Sequence, residues 1–343
     1  MRSFVTVIFL ALLTSSCDFI VPSDSELKGK TKNHTEDPLP SWNEGITKTS
    51  IIEFVNAVSK EGSSSFVPVE DRIATFDNDG TLWAEQPAYF QLYFAVDQIK
   101  KMASDHPEWS NEEPFKSVLN DDLEGLKKSG LQGLLEIVMK SHAGMTSDAY
   151  QEEVKLWIKS AKHPRFKVKY TDLVYQPMLE LLDYLRSHDF KLFIVSGGGI
   201  DFMRAWASEI YGIPSDQIIG SSIKTTYDYA EGRAEIKKLP EINFIDDKDA
   251  KPIGIYTHIG KKPILAAGNS DGDIQMLQYS DSSPYSNLQL YVHHTDSIRE
   301  WAYDRGSHIG QLDKGLDEAQ IKDWFVIDME NDWSYVFPFE RTP

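Results

Sequence analysis

Two carboxylates stand two residues apart in Asp77-Asn78-Asp79-Gly80-Thr81, directly behind the apolar run Ile73-Ala74-Thr75-Phe76. That run has the length and composition of a strand buried on both faces. A carboxylate at the mouth of an apolar core loses hydration unless a cation or hydrogen-bond donors meet it, and a like charge beside it repels it. A divalent metal answers both needs, and open α/β sheets bind their ligands just beyond the carboxyl ends of strands. The same five residues also suit a tight turn, because Asn, Asp and Gly are the usual turn residues. The partners supplied by the rest of the chain decide between the two.

Three further segments offer partners. Lys191 to Val195 is the next apolar run, and it ends in Ser196-Gly197-Gly198-Gly199 ahead of a helix predicted from Asp201 to Tyr211. Glycines between a strand and a helix leave backbone N–H groups free to approach an anion, and Ser196 adds a hydroxyl donor. As a plain flexible loop the run would be unremarkable. Pro263 to Ala267 is a third buried strand that breaks into Gly268-Asn269-Ser270-Asp271-Gly272-Asp273. Carboxylate and amide oxygens at a strand end are the donors Mg²⁺ prefers. No glycine fingerprint is followed by an acid some twenty residues on, which argues against a dinucleotide site.

These groups need a scaffold, and the chain reads as α/β. Further strands are predicted at Leu288 to Val292 and Phe325 to Met329, with a hairpin from Ile218 to Ile223 and Tyr227 to Ile236. Helices are predicted at Thr49 to Ser59 and Pro177 to Ser187. Between the first and second strands, Pro87 to about Tyr170 is helical throughout, with apolar residues recurring at three and four positions in Tyr89–Met102, Leu123–Met139 and Ala149–Ile158. The spacing implies a Rossmann-like, doubly wound parallel sheet over residues 47–86 and 171–343, with a helical cap over 87–170. The alternative leaves these helices in the main core. His106, His142 and His163 lie in the block without metal-ligand spacing, so each is expected at the surface or at a helix cap.

With 35 basic against 53 acidic residues, the net charge of −18 argues against a nucleic-acid or anionic-lipid surface. The start of the chain carries Arg2, an apolar run from Phe4 to Leu13, and the only cysteine, Cys17. The run is about half of the ~20 residues a membrane-spanning helix needs. It resembles a bacterial lipoprotein signal, with Thr14 where that signal prefers Leu. The resemblance implies a signal peptide over 1–16, acylation of Cys17, and membrane attachment through that lipid alone. The catalytic part would then work in the cell envelope, on the periplasmic side. Residues 17–46, polar and without periodicity, read as a flexible tether.

Taken together, the motifs resemble those of the haloacid dehalogenase superfamily of phosphohydrolases. Asp77-Asn78-Asp79-Gly80-Thr81 matches its DxDGT motif, Ser196 its second, Lys251 its third ahead of Lys261 and Lys262, and GNSDGD from Gly268 its fourth. The inserted helices resemble the cap of the phosphoserine phosphatase subgroup. One departure is Asn269, where the family often carries Asp; the resemblance leaves Asn269, Asp273 or Asp271 as the inner metal ligand. It implies an Mg²⁺-dependent phosphatase of small phosphorylated metabolites. Asp77 would be the nucleophile and Asp79 the general acid and base, with Ser196, Gly197 and Lys251 on the phosphate and Asp77, Asp79, Asn269 and Asp273 on the metal. The alternative is a catalytically silent envelope lipoprotein that binds a phosphorylated ligand or a partner protein. Glu85 lies near where phosphoserine phosphatases meet the substrate's amine, so it is expected either to bind an amine or to cap the helix after Pro87.

Overall fold

Strand alternation sorts the apolar residues onto two faces. In the computed structural model, which describes residues 37–341, β1 is Ile73–Phe76, β2 Lys191–Gly199, β3 Ile218–Ala230, β4 Arg233–Phe244, β5 Leu265–Gly268, β6 Leu288–His293 and β7 Phe325–Asp328. Ala74, Phe76, Leu192, Ile194, Leu265 and Ala267 point to one apolar cluster, whereas Ile73, Phe193, Val195 and Ala266 point to another. Both faces are therefore covered, and all four residues of β1 are buried. Each buried Ile, Leu, Val or Phe side chain among them contributes roughly 1.5–3 kcal/mol.

The strands form one sheet in the order β4-β3-β2-β1-β5-β6-β7. All pairings are parallel except that of β4 with β3. The order reverses at β1, which sends the chain to β2 on one side and receives β5 on the other. Phe76 is level with Ile194 of β2 and Ala267 of β5. Asp77, Ser196 and Asn269 thus emerge within two residues of one level, at the switch point where ligands bind in such sheets.

Between β1 and β2 the chain is helical, at Phe90–Met102, Phe115–Leu119, Leu123–Lys140 and Ser147–Ile158. The third of these breaks at Gly130, where φ is +58°. The hairpin of β3 and β4 is longer than the sequence suggests, because its outer half does not return to the sheet core. It reaches the helical block instead, with Lys238 N donating to Met145 O (2.9 Å) and Gly144 N to Lys238 O (3.0 Å). The helix expected over Asp201 to Tyr211 is two short ones, Ile200–Arg204 and Ala207–Tyr211.

Two expectations change. The tether does not run to residue 46: Leu39 and Trp42 are buried, and Ser41 gives its N–H and hydroxyl to Glu180 at 2.8 and 2.7 Å. The signal segment, Cys17 and the tether up to Glu36 lie outside the described residues. His142 and His163 are buried rather than at the surface. His163 accepts the Arg165 and Phe166 N–H groups on Nδ1, so its Nε2–H donates to the Gln86 carbonyl, 2.8 Å away. That makes it a loop pin. Among the described residues no helix is long and apolar enough to cross a membrane.

Candidate active site

Lys251 opens the helix Ala250–His258 and is buried at the foot of the cleft. Its ammonium lies 2.9 Å from Asp77 Oδ1 and 2.6 Å from Asp273 Oδ1, and it donates to the Val195 carbonyl at 2.9 Å. Burial alone would lower its pKa, but Asp273 and Asp77 hold it above the ordinary lysine value. Of the three lysines considered from sequence, this one reaches the site. Lys261 pairs with Asp71 on the surface at 2.6 Å, and Lys262 bonds Ser282.

Burial pushes the Asp77 carboxyl up to about 7, against the opposing pull of Lys251 and with the help of Asp273 and Asp79. Asp79 is pushed up to about 6, again by burial, while its bond from Trp83 Nε1 (2.8 Å) favours the charged form. Trp83 is itself fixed by stacking on Trp206, with ring centroids 4.2 Å apart. Gly198 borders the same space: a Cβ there would lie 3.3 Å from Asp79 Oδ2 and 3.4 Å from Ser196 Oγ. A side chain at that position would fill the ground a ligand must occupy between the second carboxylate and the hydroxyl.

The glycine run is not the open anion nest the sequence suggests. It continues β2, and two of its amides are taken: Gly198 N donates to Ser196 Oγ (3.1 Å) and Gly199 N to Gln91 Oε1 (2.7 Å). Ser196 and Gly197 do line the cavity, together with Asp77, Asp79, Lys251 and Asn269.

Asp273 has a different station from the one expected of a metal ligand. One carboxylate oxygen takes Lys251, and the other accepts the N–H groups of Asn269 and Ser270, both at 3.0 Å. Fully buried, it anchors the lysine and closes the loop rather than facing the mouth. Asp271 is likewise occupied, accepting the N–H groups of Asp313 and Gly315 at 2.9 Å. Asn269 accepts the Thr81 hydroxyl on its amide oxygen (3.2 Å) and gives its NH₂ to Glu85 Oε1 (2.7 Å).

Glu85 also accepts from Tyr303 OH at 2.7 Å, and its burial raises its carboxyl well above the ordinary value. Glu85 does not cap the helix after Pro87, which starts behind Tyr89 without a side-chain cap; both bonds fall on its Oε1, and the residue lines the cavity. The network continues through residues no motif marks. His294 stacks on Tyr303 with ring centroids 4.3 Å apart and sets Nε2 2.8 Å from the Gly80 carbonyl. Gly80 must be glycine here: φ is +73°, and a Cβ would lie 2.0 Å from Asn269 Nδ2.

Asp246 was also missed from the sequence. It is fully buried beside the lysine, its side chain hydrogen-bonds to no protein group, and burial pushes it up to about 7 against the pull of Lys251. Three carboxyl groups raised by burial around one ammonium make the site short of positive charge. The donors facing the mouth are hard oxygens from Asp77, Asp79 and Asn269, which fit Mg²⁺. Among the described residues no three His, Cys, Asp or Glu side chains form a ready metal cage.

Comparison with known proteins places the chain in a family. The family described as haloacid dehalogenase-like hydrolase matches residues 74–278. A solved structure of a conserved functionally unknown protein from Anaerococcus prevotii DSM 20548 is similar at 16% identity, covering 76% of this chain and 89% of its own with a TM-score of 0.52. A phosphoserine phosphohydrolase-like protein from Francisella tularensis subsp. tularensis SCHU S4 is similar at 15% identity, with 64% and 87% covered and a TM-score of 0.35. No curated protein sequence matches the chain.

Asp246 gives a pH prediction. Its carboxyl titrates near the ordinary ~4 when unfolded and at about 7 when folded. The stability it supports is complete below the first value and lost as pH rises through the second. In chelator-treated protein, Asp246→Asn should therefore gain on the wild type by on the order of 2 kcal/mol between pH 5 and pH 8, read from urea midpoints. A gap that stays constant across that range would contradict the assignment.

Proposed function

Because the chain belongs to the haloacid dehalogenase-like hydrolase family, we propose that it is a phosphatase that cleaves phosphate monoesters through a phosphoenzyme on Asp77. The observation that carries this reading is the buried Lys251 ammonium, 2.9 Å from Asp77 at the foot of an open cleft. That contact favours an ionised carboxylate where burial opposes one, and so keeps a nucleophile available.

An oxygen of Asp77 attacks phosphorus, the ester P–O bond breaks, and the departing oxygen takes a proton from Asp79. Water then attacks phosphorus, Asp79 takes its proton back, and breakage of the acyl-phosphate bond frees inorganic phosphate and Asp77. A carboxyl held at about 6 can give and take a proton near neutral pH. Lys251, Ser196 and Gly197 bind the phosphoryl oxygens. Asp77, Asp79 and Asn269 would hold Mg²⁺, which supplies neutralisation of phosphoryl charge when bound. Asp273 serves that chemistry by positioning Lys251.

We also infer an envelope location with Cys17 as the acylated residue, a reading supported by Arg2, the apolar run to Leu13 and the small residues ahead of the cysteine.

Phosphate release from monoesters tests the catalytic assignment. Asp77→Asn should abolish turnover with the circular dichroism spectrum and melting curve intact, and Asp79→Asn should slow it by roughly 10²–10⁴-fold. Turnover by Asp77→Asn at more than a small fraction of the wild-type rate would refute the covalent route. For the location, Cys17→Ser should move the protein out of the membrane fraction; equal membrane association of both forms would refute the anchor.

A further inference from the structure

The cleft does not stop at the phosphate. One cavity of about 380 Å³ in all reaches from Asp77 and Lys251 to the space between the helical block and the β3–β4 hairpin, a volume within the range of small-molecule sites. Beyond the reaction mouth its walls are mainly apolar, with Leu92, Leu135, Val138 and Met139 from the helical block facing Ile242 and Phe244 of the hairpin. Such a surface at a reaction mouth is costly to leave in water and pointless for a hydroxyl-rich leaving group.

The distal end is polar but carries no charge to spare. Lys238 is buried there and pairs with Asp201, which also accepts the Ser147 hydroxyl at 3.1 Å. The ammonium sits 5.1 Å from the centre of the Tyr150 ring, a further stabilising contact. His142 lies against the same ring, and burial, with Lys238 nearby, pushes it down to about 4, so it is neutral under ordinary conditions. Backbone bonds between the hairpin and the block at Lys238, Gly144 and Met145 hold this end wall in place. A sugar would bury several hydroxyl groups against walls that offer few partners, at the cost of each unmade hydrogen bond. A charged amino-acid leaving group would meet a pair already neutralised.

We propose that the leaving group this site selects is an extended, uncharged, apolar alcohol, so that the substrates are alkyl, aryl or acyl-chain phosphate monoesters rather than sugar or amino-acid phosphates. The proposal rests on the phosphatase reading, since the apolar cavity serves the departing oxygen's substituent. Selection acts through burial of that substituent between the helical block and the hairpin.

A homologous alkyl series isolates the effect, because lengthening the chain adds buried surface while hardly changing the chemistry at the ester oxygen. With the full chain and Mg²⁺, kcat/KM should rise from ethyl to butyl to hexyl phosphate, by up to about fourfold per added methylene. Glycerol phosphate, similar in length to butyl phosphate but hydroxylated, should be the poorer of the two by tenfold or more. Met139→Gln and Phe244→Ser, made separately, should each flatten the hexyl-to-ethyl ratio, and either variant suffices should the other fail to fold. A flat or falling series, or a preference for glycerol phosphate, would overturn the substrate class while leaving the phosphatase standing. No phosphate release from the alkyl series, 4-nitrophenyl phosphate, glucose 6-phosphate and phosphoserine alike would overturn the phosphatase reading beneath it.

Discussion

A lysine ammonium buried among carboxylates is the constraint on which the rest of the site depends. Removing such a charge from water costs several kcal/mol, and only close, well-directed partners offset it. Lys251 hydrogen-bonds to Asp273 and the Val195 carbonyl and forms a close ion pair with Asp77. Each belongs to a different strand end, so the lysine ties β1, β2 and the loop after β5 to one point. Satisfying it fixes where the Asp77 carboxylate sits. The arrangement is still short of positive charge, with Asp79 and Asp246 close by and raised by burial. In the proposed reaction a hard cation would supply the positive charge that these carboxyl groups leave unmatched.

Around this centre a second set of contacts holds the turn that carries Asp79. The Gly80 carbonyl rests on His294, the Thr81 hydroxyl on Asn269, and the Asn78 side chain accepts Tyr211 OH at 3.1 Å. Asn269 and Tyr303 then converge on Glu85. Catalytic groups held by side chains that are themselves locked keep their geometry without reorganisation during the reaction. The short apolar strand supplies the rigid base, and the network supplies the aim.

Much of this was legible in the sequence because the signals are local. Short apolar runs gave β1, β2, β5, β6 and β7 their positions, and a strand ending in Asp77 or in Asn269 marked the carboxyl edge of a parallel sheet. Strand ends marked Asp77, Asp79 and Ser196, and the family resemblance added Lys251; the structure brings all four into one cleft. What the spacing could not show is which way an acid faces. Asp273 and Asn269 are close in the chain, yet one turns inward to the lysine and the other lies between Thr81 and Glu85. Asp246, His294 and Tyr303 reach the site through tertiary packing, with no pattern around them to mark it. His142 and His163 were misjudged for the same reason, since a lone histidine carries no sign of burial. The hairpin's reach to the helical block, which creates the apolar cavity, depends on contacts between segments far apart in the chain.

Stereochemistry at phosphorus reads the proposed covalent step at Asp77 whether or not the phosphoenzyme accumulates. The measurement is the configuration of the product released when an isotopically chiral thiophosphate monoester is hydrolysed in isotopically labelled water. Two successive in-line displacements, onto Asp77 and then onto water, predict net retention. Net inversion would mean that water attacks the substrate directly, and would contradict the role assigned to Asp77 and to the lysine that holds it.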